Sequence, residues 1–137
     1  MGYLLDTNAC IALINRTSVP VRNRFSNAVE SGETVCLASV SLYELWYGVA
    51  KSAQTEANTL RLRQFLAGPI QLLNFAAEDA QRAGELRINL ERIGRPIGAY
   101  DLLIAGQALH HKLTLVTANV KEFARVKGLL WEDWAKG

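Results

Sequence analysis

Three long apolar segments of this sequence contain one charged residue each, and in every case that residue is an acid. The acids and their segments are Asp6 in residues 1–15, Glu44 in residues 34–50 and Asp101 in residues 96–109. A charged fraction of 20% over the whole chain would place several charges in each segment, so we expect these segments to be buried. An unpartnered buried carboxylate is costly, and gathering all three around a divalent cation would compensate their charge.

Asp6 lies at a predicted junction between a strand and a helix. Tyr3–Leu5 is a short apolar run typical of a buried strand, and Thr7 or Asn8 can cap the helix that follows. In open α/β sheets the carboxyl ends of the strands form the rim at which ligands bind, so this position favours a functional role for Asp6. The alternative is that Asp6 is only a helix cap or the buried partner of an arginine.

Short apolar runs alternate with helical periodicity along the rest of the chain. The predicted strands are residues 3–5, 34–37, 70–73, 114–117 and 131–134, the last at a sheet edge. The predicted helices are residues 9–14, 21–31, 39–50, 56–66, 76–93 and 99–111, with a short helical turn at 121–126. This alternation predicts an α/β fold with a central, mainly parallel sheet flanked by helices, in which residues 1–137 form one domain.

The helix that carries Glu44 is apolar on nearly every face, with Ser39 as its expected cap, so we expect it to be largely buried. Its large aromatic residues, Tyr43, Trp46 and Tyr47, either belong to the core or face a partner.

Composition limits the compartment and the partners. Cys10 and Cys36 both lie in apolar segments without a spaced cysteine framework, which is typical of core residues in a reducing compartment. No cationic segment precedes the N-terminal apolar run, so we expect a soluble cytoplasmic protein that does not insert into a membrane. The net charge is +2, and sequestering three acids in a pocket would leave a more basic surface that permits a polyanionic partner.

Basic residues lie on two of the later helices. Arg82, Arg87 and Arg92 are candidates for phosphate contact or members of a solvated helix face mixed with glutamates. His110 and His111 close the helix that begins with Asp101, and we favour charge complementation at the helix end over metal ligation for them.

A cluster of carboxylates without a glycine-rich phosphate loop suits metal-assisted phosphodiester hydrolysis. Asp6 and Asp101 would hold the cation, and Glu44 would orient water or a second ion. Hard oxygen ligands favour Mg²⁺ or Mn²⁺ over zinc, and the N-terminus of a helix should keep Asp101 ionised. A rival is phosphotransfer or dehalogenase-like chemistry with Asp6 as nucleophile, but the second acid expected two residues later is replaced by Asn8.

Two further candidates follow the fourth strand. The strand should deliver Asn119 to the same rim as Asp6, and the next helical turn carries Glu122. Glu122 either joins the site or is a solvated helix residue beside Lys121 and Arg125.

Four motifs, taken together, resemble the PIN-domain ribonucleases and more closely the VapC toxins of type II toxin-antitoxin pairs. They are Leu4-Leu5-Asp6-Thr7-Asn8, Tyr43-Glu44-Leu45 with Gly48, residues 98–105 around Asp101, and Leu115-Val116-Thr117-Ala118-Asn119. Their order and spacing extend over nearly the whole chain. The ending, with Asn119, Glu122-Phe123, Gly128-Leu129 and Glu132-Asp133-Trp134, is similar to members that cut initiator tRNA in its anticodon loop.

The resemblance implies a PIN fold, Mg²⁺-dependent RNA cleavage, homodimerisation and neutralisation by a VapB antitoxin. It implies that Asp6, Glu44 and Asp101 take the acidic positions of the family. Asn119 stands where many PIN domains have an aspartate, which puts a conventional second metal site in doubt. An RNA-binding PIN scaffold without activity is the non-enzymatic alternative, although the three acids that activity needs are intact.

Overall fold

The computed structural model describes residues 2–136, whose strands form one five-stranded sheet. Every strand pairing is parallel, and the spatial order is β3-β2-β1-β4-β5. The strands are β1 (Gly2–Leu5), β2 (Thr34–Ala38), β3 (Gln71–Leu73), β4 (Thr114–Val116) and β5 (Trp131–Glu132). The prediction of a mainly parallel central sheet is therefore confirmed. The carboxyl ends of all five strands lie at one edge, with β1 in the middle.

Helices cover both faces of the sheet. They are α1 (Thr7–Asn15), α2 (Val19–Glu30), α3 (Ser39–Ala50), α4 (Thr55–Leu66), α5 (Ala77–Arg92), α6 (Ala99–His111) and α7 (Val120–Phe123), and a 3₁₀ helix follows at Trp134–Lys136. No helix within residues 2–136 is long and apolar enough to cross a lipid bilayer.

Side chains that alternate along each strand supply two separate cores. Leu4 of β1 and Leu115 of β4 pack with α5, α6 and α7, whereas Leu5 and Val116 pack with the first four helices and Trp134. Parallel strands with both faces covered read as continuous apolar runs, which is why the sequence shows these strands clearly.

The helices α5 and α6 approach each other very closely. A Cβ placed on Gly106 would lie only 2.8 Å from the backbone of Ala83. Real Cβ atoms do not approach backbone atoms so closely, so the absence of a side chain at residue 106 permits this packing. The contact holds the middle of α6 against the middle of α5.

Several predictions about local structure are wrong. The helix α2 begins at Val19 rather than residue 21, because the Ser18 hydroxyl accepts a 3.3 Å hydrogen bond from the Val21 amide and Pro20 fits the first turn. Ser39 does not cap α3: Ala38 is the N-cap, and the Ser39 hydroxyl accepts a 3.1 Å hydrogen bond from the Phe75 amide.

The third error is the expected burial of α3. Tyr43 and Tyr47 are 56% and 58% exposed, while Ser41 and Leu45 are buried. The helix α3 therefore has one face in the core and an aromatic face towards solvent, because the neighbouring elements pack against only one side of it.

The edge strand is also shorter than the predicted residues 131–134. The strand ends at Glu132, and the 3₁₀ helix turns Trp134 inward, where its ring packs edge-on against Tyr3 at a centroid distance of 5.2 Å.

Candidate active site

Asp6 is both the last residue before α1 and a member of the pocket at the strand ends. Its Oδ1 atom accepts a 2.8 Å hydrogen bond from the amide of Ala9, so Asp6 itself is the N-cap of α1. The prediction that Thr7 or Asn8 caps this helix is wrong. The hydroxyl of Thr117 also hydrogen-bonds the Asp6 carboxyl group, which is only 6% exposed. Capping is thus one role of this buried carboxylate.

Glu44 reaches the pocket from α3, where a hydrogen bond holds it. The hydroxyl of Thr7 donates to Oε1 of Glu44 over 2.6 Å and so links the start of α1 to α3. This bond uses one carboxylate oxygen and leaves Oε2 for another partner. The polar residue after Asp6 therefore positions a second acid.

Asp101 lies in the first turn of α6 with an unusually high proton affinity. Burial, followed by the charges of Glu122, Asp6 and Glu44, raises the pKa of Asp101 to about 6. Desolvation and three neighbouring carboxylates outweigh the helix dipole and raise the pKa of Asp101, although a carboxyl group with a pKa of about 6 is still mostly ionised at neutral pH.

Asn119 and Glu122 form a hydrogen-bonded unit beside Asp101. The Asn119 side-chain amide donates to Oε2 of Glu122 over 2.7 Å, and the Gly98 amide donates to Oε1 over 3.0 Å. These two bonds lower the pKa of Glu122. Since Gly98 is the N-cap of α6, Glu122 connects the loop after β4 to the helix that carries Asp101.

The pocket that these residues form has a volume of about 160 Å³. It is lined by Asp6, Thr7, Asn8, Glu44, Asp101, Ile104, Asn119 and Phe123. Four of the five sequence candidates therefore line one cavity. Glu122 is not among the lining residues, but it accepts a hydrogen bond from Asn119 and its charge raises the pKa of Asp101, which favours a positioning role.

The pocket carries uncompensated negative charge. Among the described residues, none of the ion pairs involves Asp6, Glu44 or Asp101. The alternative of Asp6 as the buried partner of an arginine is therefore not supported. Burial also raises the pKa of Asp6, and the charges of Glu44 and Asp133 add to that rise. Such a set of oxygen donors suits a hard divalent cation.

Two members of this environment were missed in the sequence. Thr117 is 1% exposed, and its hydroxyl accepts a 2.9 Å hydrogen bond from the Asn119 amide as well as bonding Asp6. Asp133 is close enough for its charge to raise the pKa of Asp6. Thr117 stands in a motif that the sequence shows, but its role depends on the pairing of β1 with β4, which places it beside Asp6.

Two tyrosines lie beside the acids on the surface. Tyr43 precedes Glu44 and Tyr100 precedes Asp101, with ring centroids 5.8 Å apart and hydroxyl groups 3.5 Å apart. Both rings are substantially exposed, at 56% and 45%. They offer an apolar, aromatic surface next to a polar pocket.

Comparison with known sequences identifies close relatives over the full length of the chain. The family model for the PIN domain matches residues 3–129. The tRNA(fMet)-specific endonuclease VapC of Shigella flexneri is 41% identical over 98% of this chain and 99% of that protein. Ribonuclease VapC2 of Rickettsia felis is 40% identical over 99% of this chain and 100% of that protein.

Solved structures agree with the sequence comparison. The VapBC2 complex of Rickettsia felis bound to a promoter DNA fragment contains a chain that superposes with a TM-score of 0.92 at 40% identity, covering 98% of this chain and 99% of that one. The DNA-bound VapBC complex of Salmonella typhimurium gives a TM-score of 0.90 at 36% identity, covering 98% of each chain.

Proposed function

The chain belongs to the PIN-domain family and, within it, to the VapC ribonucleases, and on this basis we propose that its acidic pocket cleaves RNA with a bound Mg²⁺ or Mn²⁺. The observation that carries the proposal is the convergence of Asp6, Glu44 and Asp101, from three separate elements, on one small cavity. Within residues 2–136, no cationic side chain forms an ion pair with any of the three.

The donor chemistry of the pocket fits a hard divalent cation. Asp6, Glu44 and Asp101 offer only carboxylate oxygens. Burial, and then the charges of neighbouring carboxylates, raise the pKa values of Asp6 and Asp101, and a bound cation would favour the ionised form of both. Among the described residues only Asp79, His110 and His111 have three ligand atoms within 4.8 Å of one another, so Asp6, Glu44 and Asp101 would hold Mg²⁺ partly through its coordinated waters. Such an ion would lower the pKa of a bound water and neutralise charge on the scissile phosphate. The rival chemistry with Asp6 as nucleophile has no support from the relatives, which are named as ribonucleases.

The chain's own residues then hold this carboxylate set in place. Thr117 and the Ala9 amide orient Asp6, and Thr7 orients Glu44. Asn119 and Glu122 fix the loop before Asp101. Hydrogen-bonded ligands lose less conformational freedom when a cation and a phosphate arrive.

The proposed substrate is initiator tRNA, cut in its anticodon loop. The Shigella flexneri relative is named for tRNA(fMet), and it matches this chain almost from end to end. Bases splayed out of a single-stranded loop can stack on exposed aromatic rings, and Tyr43 and Tyr100 lie beside the acids. The test is cleavage of initiator tRNA against elongator methionine tRNA, with the cut mapped by primer extension. Equal cleavage of both tRNAs would reject this substrate assignment while leaving the nuclease assignment intact.

The decisive experiment for the nuclease is cleavage of RNA in Mg²⁺ and in EDTA. We expect cleavage in Mg²⁺ and Mn²⁺, none in EDTA, and a large loss in Asp6→Asn and Asp101→Asn. Glu78→Gln is the matched control, because Glu78 is an exposed acid on α5 outside the pocket. Cleavage that survives in EDTA, or that all three variants share with the parent, would contradict the proposal. No cleavage by the parent in Mg²⁺ or Mn²⁺ would leave an inactive RNA-binding scaffold.

The proposed regulator is a VapB-type antitoxin, since the structural relatives are VapBC complexes. An apolar groove of about 220 Å³ is lined by α1, α3 and α4 and includes Ile11, Leu45, Leu62 and Glu44. Because Glu44 belongs to both the groove and the acidic pocket, a chain segment in the groove can reach the carboxylates, for instance with an arginine. We propose a homodimer that forms a larger assembly with this antitoxin and acts in the cytoplasm.

Expression in cells tests this regulation. Expression of the chain alone should arrest growth, and co-expression of the gene's immediate neighbour should restore it. Ile11→Glu should retain toxicity but escape rescue, because it places a charge in the apolar groove. Leu72→Glu is the control at an exposed apolar position on β3. Equal rescue of Ile11→Glu and Leu72→Glu would place the antitoxin elsewhere, and harmless expression of the soluble parent chain would contradict the toxin function.

A further inference from the structure

Asp79, His110 and His111 form a second cluster of ligand-type side chains, apart from the acidic pocket. Their potential ligand atoms all lie within 4.8 Å of one another. Asp79 lies in the first turn of α5, and the two histidines end α6. His110 is nine residues after Asp101 on α6, about 14 Å along a helix with a rise of 1.5 Å per residue. The two clusters are therefore different centres.

Asp79 is an unusual carboxylate for a helix start. It is completely buried, and its Oδ2 atom accepts a 2.7 Å hydrogen bond from the Ala76 amide. Its Oδ1 atom lies 2.6 Å from Nδ1 of His110 and 3.2 Å from Nε2 of His111. Capping α5 needs only one oxygen, so the second oxygen is aimed at two imidazole rings.

Packing of α5 against α6 brings the Asp79 carboxylate and the two imidazole rings together. The antiparallel helices α5 and α6 touch where Gly106 lies against Ala83. Asp79 is one turn before Ala83, and His110 is one turn after Gly106, so each residue lies on the same face as the contact. The carboxylate and the rings are thus held by backbone packing and not by flexible loops.

We propose that Asp79, His110 and His111 bind a borderline-soft divalent transition metal such as Zn²⁺, in a site separate from the acidic pocket. Two imidazoles and one carboxylate are a donor set that zinc uses in proteins, and imidazole nitrogen distinguishes this site from the oxygen ligands of the pocket. Metal–ligand bonds of about 2.0–2.2 Å in a tetrahedral site separate neighbouring ligand atoms by roughly 3.3 Å. The observed separations of 2.6 and 3.2 Å from Oδ1 would change by about 0.7 and 0.1 Å to reach this value. The two imidazole nitrogens lie within 4.8 Å of each other and would approach by at most about 1.5 Å.

Access and charge both suit this metal. The histidine side chains are 31% and 32% exposed, so an ion can enter from solvent and keep a water as a further ligand. Neutral imidazoles can move the proton from the coordinating nitrogen to the other ring nitrogen by exchange with solvent, so binding needs no net proton release. The bound metal would replace the hydrogen bonds that now stabilise the buried Asp79 carboxylate, and it would join α5 to α6.

The test uses the fact that the chain has only two histidines, both in the cluster. Imidazole nitrogen signals of untagged protein are followed by NMR during titration with Zn²⁺, in the presence of saturating Mg²⁺ to occupy the acidic pocket. We expect one equivalent of Zn²⁺ to move the signals of both histidines, in the parent and in Asp6→Asn, while Mg²⁺ alone leaves them unchanged. Unmoved signals, or movement of one histidine only, would overturn the site.

Substitutions separate ligation from a general charge effect. His111→Gln should weaken Zn²⁺ binding by at least about 100-fold in calorimetry. Loss of a residue that only hydrogen-bonds a metal ligand already costs up to about 100-fold in affinity, and loss of a ligand itself should cost at least as much. It should also abolish the increase in melting temperature with Zn²⁺. His111 makes the longer contact, so His111→Gln keeps the His110 bond that supports Asp79. Glu78→Gln, which removes an exposed charge next to Asp79, should change Zn²⁺ affinity only a few-fold; equal Zn²⁺ affinities in the two variants would refute ligation.

Discussion

The side-chain amide of Asn119 donates a 2.7 Å hydrogen bond to Oε2 of Glu122 at the rim of the acidic pocket. The amide faces a carboxylate whose other oxygen is already bound to the Gly98 amide. An aspartate at residue 119 would place a second carboxylate next to Glu122 with no hydrogen atom to donate. The two negative charges would then repel each other at hydrogen-bond distance. The neutral residue at position 119 therefore supports an ionised Glu122.

The first prediction concerns Asn119→Asp. We expect this variant to melt at a lower temperature than the parent in EDTA, because two carboxylates replace an amide–carboxylate hydrogen bond. Added Mg²⁺ should stabilise it more than it stabilises the parent, since the new charge adds an oxygen ligand to the pocket. Asn119→Ala, which removes the bond without adding charge, is the control. Equal gains from Mg²⁺ in all three proteins would show that residue 119 does not face the metal site.

The second prediction concerns Glu122→Gln. If Glu122 took part directly in the chemistry, its loss would reduce cleavage by a factor on the order of a hundred. Since both Glu122 oxygens are engaged by Asn119 and Gly98, we expect a loss of less than about tenfold. The variant should also lower the pKa of Asp101, because the charge of Glu122 helps to raise it. A hundredfold loss of kcat at an unchanged Asp101 pKa, followed by carboxyl NMR, would instead place Glu122 among the reacting groups.

The third prediction concerns Thr117, the residue that joins β4 to Asp6. Thr117→Val keeps the shape and removes the hydroxyl, so it should raise the pKa of Asp6 further and weaken Mg²⁺ binding. A hydrogen bond to a charged group contributes about 1.5–3 kcal/mol, so the affinity should fall at least about tenfold. Thr117→Ser should restore binding. If Thr117→Val and the parent bind Mg²⁺ equally in calorimetry, this hydroxyl does not support the site.

The fourth prediction follows from the raised pKa of Asp101. The folded state holds a proton up to about pH 6, whereas the unfolded chain releases it near the ordinary value of 3.8. The unfolding free energy of the metal-free protein therefore falls as pH rises between these two values, and the loss is complete above about pH 6. Asp101→Asn removes this loss.

Urea unfolding in EDTA at several pH values measures this difference. The stability advantage of Asp101→Asn over the parent should be small near pH 4, grow up to about pH 6 and then stay constant. We expect a plateau of about 1 to 2 kcal/mol, because partial exposure of the carboxyl group to solvent screens the full effect of its raised pKa. Saturating Mg²⁺ should reduce or reverse the advantage, because only the parent has the full set of ligands. An advantage that does not vary with pH would mean that Asp101 is not the strained carboxylate.

The fifth prediction tests the close packing of α5 and α6 with two glycines. Gly106→Ala should destabilise the protein by about 1–3 kcal/mol, because its Cβ would lie 2.8 Å from the Ala83 backbone. Gly84→Ala is the matched control on α5, where nothing lies within 4 Å of an added Cβ. It should stabilise the helix by about 0.5–1 kcal/mol. Both free energies come from chemical denaturation, and a neutral Gly106→Ala would contradict the tight contact.

The architecture and four members of the pocket, Asn119 among them, could be predicted from the sequence. Buried parallel strands are apolar throughout, so the runs around Leu4, Leu37 and Leu115 mark the sheet without any knowledge of contacts. The lone acids Asp6, Glu44 and Asp101 stand out for the same reason, because a charge inside an apolar segment needs compensation wherever that segment packs. These are properties of each segment and its solvation.

The partners of the acids were decided by tertiary structure. Thr117 meets Asp6 only because β4 pairs with β1 in one register, and Glu122 meets Gly98 across 24 residues. The exposure of Tyr43 and Tyr47 likewise depends on which helices cover α3.

The cluster of Asp79 and the two histidines also shows which features follow from local sequence and which follow from tertiary packing. The sequence places Asp79 at a helix start and His110 and His111 at a helix end, where each suits the local helix dipole. Only the antiparallel contact of α5 with α6 brings the carboxylate to 2.6 Å from His110. Local patterns report how a segment is solvated and folded, whereas distances between distant residues follow from strand register and helix packing, to which the whole chain contributes.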